Sequence, residues 1–211
     1  MRALVTGAAS GIGAALVTAL EERGDDVEPL DLVDGFDVSE PSAWKAVGPV
    51  DLACLNAGVA TGEDGLAAYR RALGVNVDGV VFGVQRLEEV MGPGSAIVAT
   101  ASLAGLVPMP QDPIYTLTKH AVVGYVRSVA PRLAERGIRI QAVCPGFADT
   151  PIVVPELRSW IAEQGIPLMP PEQVAEAILF AGEADETGGV CVVQPGRDPL
   201  RYEFRGVPGP R

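Results

Sequence analysis

The chain has 211 residues, with 16 Lys and Arg against 27 Asp and Glu, and a formal net charge of −11. So acidic a balance argues against nucleic acid or an anionic membrane as a partner. Hydrophobic residues make up 48% and charged residues 20%, the mix of a globular chain rather than a disordered one. A chain this long buries roughly 70% of its unfolded surface without metals or disulfides, so one domain over 1–211 is expected.

Cys54, Cys144 and Cys191 each sit in an apolar run, and His120 is the single histidine. That leaves no expected disulfide framework or metal centre, and it suits a reducing, cytoplasmic setting. The run Met1–Val5 is too short and too soon broken by Gly7 for a signal peptide. No window approaches the roughly 18 uninterrupted apolar residues of a membrane span.

Short Val-, Ile- and Leu-rich runs alternate with segments of helical period, the pattern of βαβ units feeding a doubly wound parallel sheet flanked by helices. In chain order, the pattern predicts a strand near 2–6, a helix near 11–23, a strand near 27–31 and a helix near 41–47. A strand near 50–55, a long helix near 64–91, a strand near 95–100 and a helix near 114–136 follow. Strands near 138–143 and 190–194 bracket a helix near 171–183. Gly24 and Gly137 close helices before strands. Residues 145–170 hold Pro145, Pro151, Pro155, Pro167 and Pro170 around two apolar patches. They read as a loop with a short helix at a strand end, where α/β proteins bind ligands. The Gly-, Pro- and Arg-rich tail, about 196–211, is expected to gain order only by packing on a neighbour.

The first strand leads into Thr6-Gly7-Ala8-Ala9-Ser10-Gly11-Ile12-Gly13 and then a helical run. Glycines there let the chain turn tightly and let a pyrophosphate approach a helix N-terminus. The spacing is GxxxGxG, and a purely structural turn is the competing reading. About 20 residues on, a dinucleotide site needs a group for the adenosine ribose. Asp31 is placed for it, with Asp34 and Asp37 as close competitors. A carboxylate accepts from both ribose hydroxyls and repels a 2′-phosphate, which favours NAD over NADP.

Tyr115 and Lys119 are four apart at the start of a helical segment, so they share a face. An ammonium so close stabilises phenolate and lowers the tyrosine pKa. Ser102, just past a strand end, could hold a substrate oxygen against the tyrosine. His120 is read as packing or facing solvent, and Cys144 as buried at a strand end, rather than as catalytic residues. Trp160, Met169 and the 152–161 patch are read evenly as a substrate clamp or a dimer contact.

Together these motifs resemble the short-chain dehydrogenases/reductases of classical type over nearly the whole chain. The matches are TGxxxGIG at 6–13, Asn56-Ala57-Gly58, Asn76-Val77-Asp78-Gly79, Ser102 with Ala104-Gly105, YxxxK at 115–119, and Pro145-Gly146 followed by Asp149-Thr150-Pro151. The resemblance implies Tyr115 as catalytic acid/base, Ser102 as the residue orienting the substrate oxygen, and Lys119 as both pKa modulator and ribose ligand. It implies Asn76 as holder of a relay water. Gly7, Ser10, Gly11, Ile12 and Gly13 would line the pyrophosphate, and Asp37 and Val38 would lie by the adenine. Asn56, Ala57 and Gly58 would border the cofactor ribose, and Pro145, Gly146 and Thr150 the nicotinamide.

The implied activity is NAD-dependent interconversion of a small apolar secondary alcohol and its ketone. A homodimer or homotetramer is implied by the long helices. A lapsed nucleotide-binding sensor or scaffold and an NADP-dependent carbonyl reductase are the alternatives. The sequence departs from the family between Asp31 and Asp37, where a crossover helix has no room. The third strand is therefore expected to be a stub near 36–38 or missing, with its preceding helix. Leu55 also replaces the first Asn of the usual Asn-Asn-Ala-Gly.

Overall fold

The computed structural model describes residues 1–62 and 65–206. The first residue of the helix expected over 64–91, and residues 207–211 of the tail, lie outside the described residues. The strands are β1 (Arg2–Thr6), β2 (Asp26–Leu30), β3 (Leu52–Leu55), β4 (Ala96–Thr100), β5 (Arg139–Pro145), β6 (Val190–Val193) and β7 (Leu200–Arg201). They form one sheet in the order β2-β1-β3-β4-β5-β6-β7. All neighbours run parallel except β7, which pairs antiparallel with β6.

Helices α1 (Gly11–Glu22), α2 (Leu66–Leu73), α3 (Gly79–Val90), α4 (Pro113–Ala134), α5 (Pro155–Glu163) and α6 (Pro171–Glu183) complete the chain. Side chains alternate across a strand, and the two faces of the sheet divide the core accordingly. Leu4, Ala53, Ile97 and Ile140 pack with Val84 and Leu87 of α3 and Val122 and Val126 of α4. Their sequence neighbours Val5, Cys54 and Val98, together with Val143 of β5, pack with Leu16 and Leu20 of α1 and Val174 and Ile178 of α6. Strands covered on both faces read as continuous apolar runs, which is why β3 and β4 showed no polar alternation. Among the described residues, no helix is long and apolar enough to cross a membrane.

No strand forms at 36–38, so β2 is the sheet edge. Pro29 is tolerated there because an edge strand needs no amide on its outer side. The helix expected at 41–47 is a single 3-10 turn, Ala43–Ala46. Trp44 on that turn is buried, meets Phe36 edge-on at 5.2 Å and donates Nε1–H to the Val38 carbonyl at 2.9 Å. Its ring leaves no room for a Cβ on Gly83, which would stand 2.7 Å from Cη2. One indole thus docks the shortened segment on α3.

The long helix is also interrupted, because Gly74–Asp78 form a π-helical turn between α2 and α3. The extra residue in such a turn re-aims side chains, and here Asn76 is buried. The described part of the tail pairs with β6 of its own sheet, and Phe204 stacks on the Arg127 guanidinium at 3.6 Å. It therefore does not need a neighbouring chain for order, as the composition had suggested.

Candidate active site

A cleft of about 930 Å³ opens at the C-terminal ends of β1, β3, β4 and β5, beside the point where the strand order reverses, the usual ligand site of an open α/β sheet. Every site residue named from the sequence lines it except Gly13 and Asn76. The turn after β1 is left-handed at Gly7 (φ +68°) and Gly11 (φ +53°). A Cβ on Gly7 would stand 2.9 Å from the Ala57 Cα. A Cβ on Gly13 would stand 1.9 Å from the Gly7 carbonyl oxygen. Gly13 therefore packs directly against the Gly7 carbonyl, where no side chain fits. Ser10 makes no side-chain cap to α1, so the first-turn amides keep their capacity for an anion.

Asp31 accepts from the amides of Ala9 (2.9 Å) and Val33 (3.2 Å), which fixes its carboxylate beside the glycine turn. Asp37 accepts from Ser39 through both amide and hydroxyl, and with Val38 it lines the outer end of the cleft. Lys119 is the single Lys or Arg among the described residues that line the cleft.

At the other end, Asp112 caps α4 by accepting from the Tyr115 amide at 2.8 Å, with Pro113 as the first helical residue. Lys119 lies one turn on, buried, its Nζ donating to the Thr100 carbonyl at 2.9 Å and standing 5.4 Å from the Tyr115 ring centroid. Ser102 begins the 3-10 turn after β4, accepts from the Ala104 amide at 3.1 Å and lies with Tyr115 on the wall of the cleft.

Burial pushes the Tyr115 pKa up to about 12; the Ser102 side chain opposes this, and the charges of Asp112 and Cys144 reinforce it. Burial also pulls Lys119 down to about 8. Among the chain's own groups, desolvation of the phenolate therefore dominates at Tyr115, in place of the lowering by Lys119 expected from the sequence. Cys144, its thiol pushed up to about 12 by burial, is inert packing.

Asn56 ties three strands together: Nδ2 donates to the Thr6 carbonyl (3.3 Å) and Oδ1 accepts from the Thr100 hydroxyl (3.1 Å). Asn76 braces the same loop, since Oδ1 accepts from the Val59 amide (2.8 Å) and Nδ2 donates to the Val59 carbonyl (2.9 Å) and Thr118 (3.0 Å). Gly58 is the spacer between Asn76 and Lys119. A Cβ there would lie 3.4 Å from both Asn76 Oδ1 and Lys119 Nζ.

The substrate side is apolar, with Ile152, Leu157 and Trp160 on the cleft and Trp160 edge-on to Phe147 at 6.4 Å. Met169 is fully buried in the α1 and α6 core, so it belongs to neither of the roles weighed for it. Arg158 pairs with Asp149 at 2.6 Å, and His120 is exposed, its Nδ1 2.9 Å from the Thr116 carbonyl. Sequence reasoning passed over Asp112 and Thr61, although Asp-Pro three residues before Tyr115 is a legible helix start.

The family described as Enoyl-(Acyl carrier protein) reductase matches residues 40–190. An uncharacterized short-chain type dehydrogenase/reductase of Sinorhizobium fredii is 32% identical over 92% of this chain, which spans 43% of that protein's length. A cis-4-hydroxycyclohexanecarboxylate dehydrogenase of Sinomonas cyclohexanicum is 36% identical over 84% of this chain and 87% of that one. A solved short-chain dehydrogenase/reductase of Brucella melitensis, described as glucose/ribitol dehydrogenase, superposes with a TM-score of 0.82 at 26% identity. It covers 92% of this chain and 95% of that one. With the family match spanning more than half of the residues, and these relatives aligned along most of them, the chain belongs to the short-chain dehydrogenase/reductase family.

Proposed function

We propose that the protein interconverts a small apolar secondary alcohol and its ketone, with NAD as the redox partner. The observation that carries this reading is the meeting of Ser102, Tyr115 and Lys119 at one end of a cleft whose other end is the start of α1. Its residues fit a dinucleotide. The close approach of Gly7 to Ala57, the uncapped first turn of α1 and the Asp31 carboxylate form a cradle that side chains would fill. Nicotinamide bound there supplies the hydride acceptor or donor that no side chain provides.

The chain's own groups do the rest. Ser102 Oγ holds the substrate oxygen by a hydrogen bond beside Tyr115 Oη, a preorganised contact to an oxygen whose charge changes. Tyr115 Oη takes the hydroxyl proton during oxidation and returns it during reduction. The Lys119 ammonium favours the phenolate against the effect of burial. Ile152, Leu157 and Trp160 exclude water and suit an apolar substrate, in keeping with the ring alcohol for which the Sinomonas relative is named. Asp31 disfavours a 2′-phosphate, and the cleft lining offers no Arg to rescue one. The free cysteines suit a cytoplasmic protein, and Leu66, Tyr69 and Leu117, exposed on α2 and α4, suit a homodimer or homotetramer.

A panel of cyclic secondary alcohols, read by NADH formation, tests the activity. Fluorescence titration with NADH and NADPH tests the cofactor, and NADPH binding as tightly as NADH would overturn the Asp31 argument.

A further inference from the structure

We propose that Asp112 and Thr61 form a clasp that holds the loop after β3 against the start of α4 and so fixes Tyr115 for proton transfer. The inference rests on the function proposed above and adds a positioning residue to it. Asp112 is buried at 7% exposure on the wall of the cleft. A carboxylate taken out of water is costly unless it is hydrogen-bonded. This one accepts from the Tyr115 amide at 2.8 Å, from the Thr61 amide at 2.8 Å, and from the Thr61 hydroxyl in a short contact.

Capping alone does not explain it. A helix cap needs only the first of these bonds, and Ser, Thr or Asn serves equally well there. The other two reach a loop 51 residues earlier in the chain. That loop carries Asn56, Ala57 and Gly58 on the cofactor side of the cleft. Asn76 already anchors its middle, at Val59, to Thr118 of α4. The Asp112–Thr61 contact anchors its far end to the first turn of the same helix. Tyr115 is the third residue of α4, within the turn where helix amides lack internal partners. The clasp therefore steadies the tyrosine and the cofactor wall together.

Asp112 also acts through charge. The groups facing the Tyr115 phenol are Ser102 after β4, Cys144 on β5, and Asp112 and Lys119 around α4, and residues 57–62 contribute no ionisable group. Of these, Asp112 is the carboxylate, and it favours the protonated phenol. Removing its charge should make the phenolate easier to form.

The test compares Thr61→Val, which keeps the charge and the cap, with Asp112→Asn, which keeps the cap and removes the charge. For Thr61→Val, kcat for NAD-linked alcohol oxidation should fall about fivefold or more, the scale of one lost hydrogen bond to a charged group. The KM for NAD should stay within about twofold and the pH profile should not move. For Asp112→Asn the profile should shift to lower pH by about half a unit or more, as loss of a nearby like charge requires. In both variants amide hydrogen exchange at 57–62 should quicken. An unshifted profile in Asp112→Asn with near-normal kcat in Thr61→Val would reduce Asp112 to a helix cap. Unchanged exchange at 57–62 would remove the clasp. Exchange needs no substrate, so if the wild type oxidises no alcohol the functional reading fails while the clasp is still decided.

Discussion

At the end of the cleft where Ser102, Tyr115 and Lys119 meet, Asn56, Asn76, Thr118, Lys119 and Asp112 are held by hydrogen bonds that cross between β1, β3, β4, α4 and the π-helical turn. At the end lined by Asp31, Asp37 and Val38, residues 31–50 hold themselves by local turns, and Trp44 and Arg86 tie them to α3. The difference follows from the work each end is proposed to do. Proton transfer requires heavy atoms fixed within hydrogen-bond reach, so that wall is braced from several elements. Binding one face of a planar base tolerates a looser frame, so a strand and its crossover helix can be missing there while Asp31, Asp37 and Val38 still reach the cleft.

Breaking the braced end at its centre should give the largest effect. Tyr115→Phe should cut turnover by roughly 10³-fold, within the range for a lost acid/base group, while NADH binding by fluorescence stays within about twofold. At the looser end the cost should appear in stability instead. Trp44→Ala removes a buried indole and its bond to Val38 and should lower unfolding free energy by about 3–5 kcal/mol in denaturant titration. Activity at saturating NAD should survive it.

Asp31→Ala should sharpen the comparison, narrowing the preference for NADH over NADPH by about tenfold or more, roughly one charge interaction's worth, with kcat little changed. The smallest effect concerns Lys119. Its pKa is lowered from 10.5 to about 8, so between those values the unfolded chain binds the extra proton. Stability from this group therefore rises with pH above about 8. Cys54 and Cys144, raised from 9.0 to about 12, act in the opposite sense above pH 9. The stability of wild type relative to Lys119→Met, measured at pH 8 and pH 9, should shift by up to about 1 kcal/mol toward the wild type.

What was legible in the sequence was local. Gly7 to Gly13 and Tyr115 with Lys119 lie within one turn or one helix, so spacing alone brings each set together. The missing third strand was legible because the five residues between Asp31 and Asp37 cannot span a crossover. What replaced it was not, since seating Trp44 against Gly83 depends on a contact across 39 residues. Asn76 was legible as a motif residue, but the bonds of its amide group to Val59 and Thr118 depend on the fold. That Gly13 packs against the Gly7 carbonyl too closely for any side chain could not be read from its place in the motif. Asp112 and Thr61 carried no motif, and only the fold brings them together.

The central claim is that Tyr115 moves the proton in an NAD-linked alcohol oxidation. NADH formation from NAD and a cyclic secondary alcohol, followed in wild type and Tyr115→Phe at equal NAD occupancy, tests it most directly. The account predicts steady NADH production by the wild type and none above background in the variant. Comparable turnover in Tyr115→Phe would contradict it.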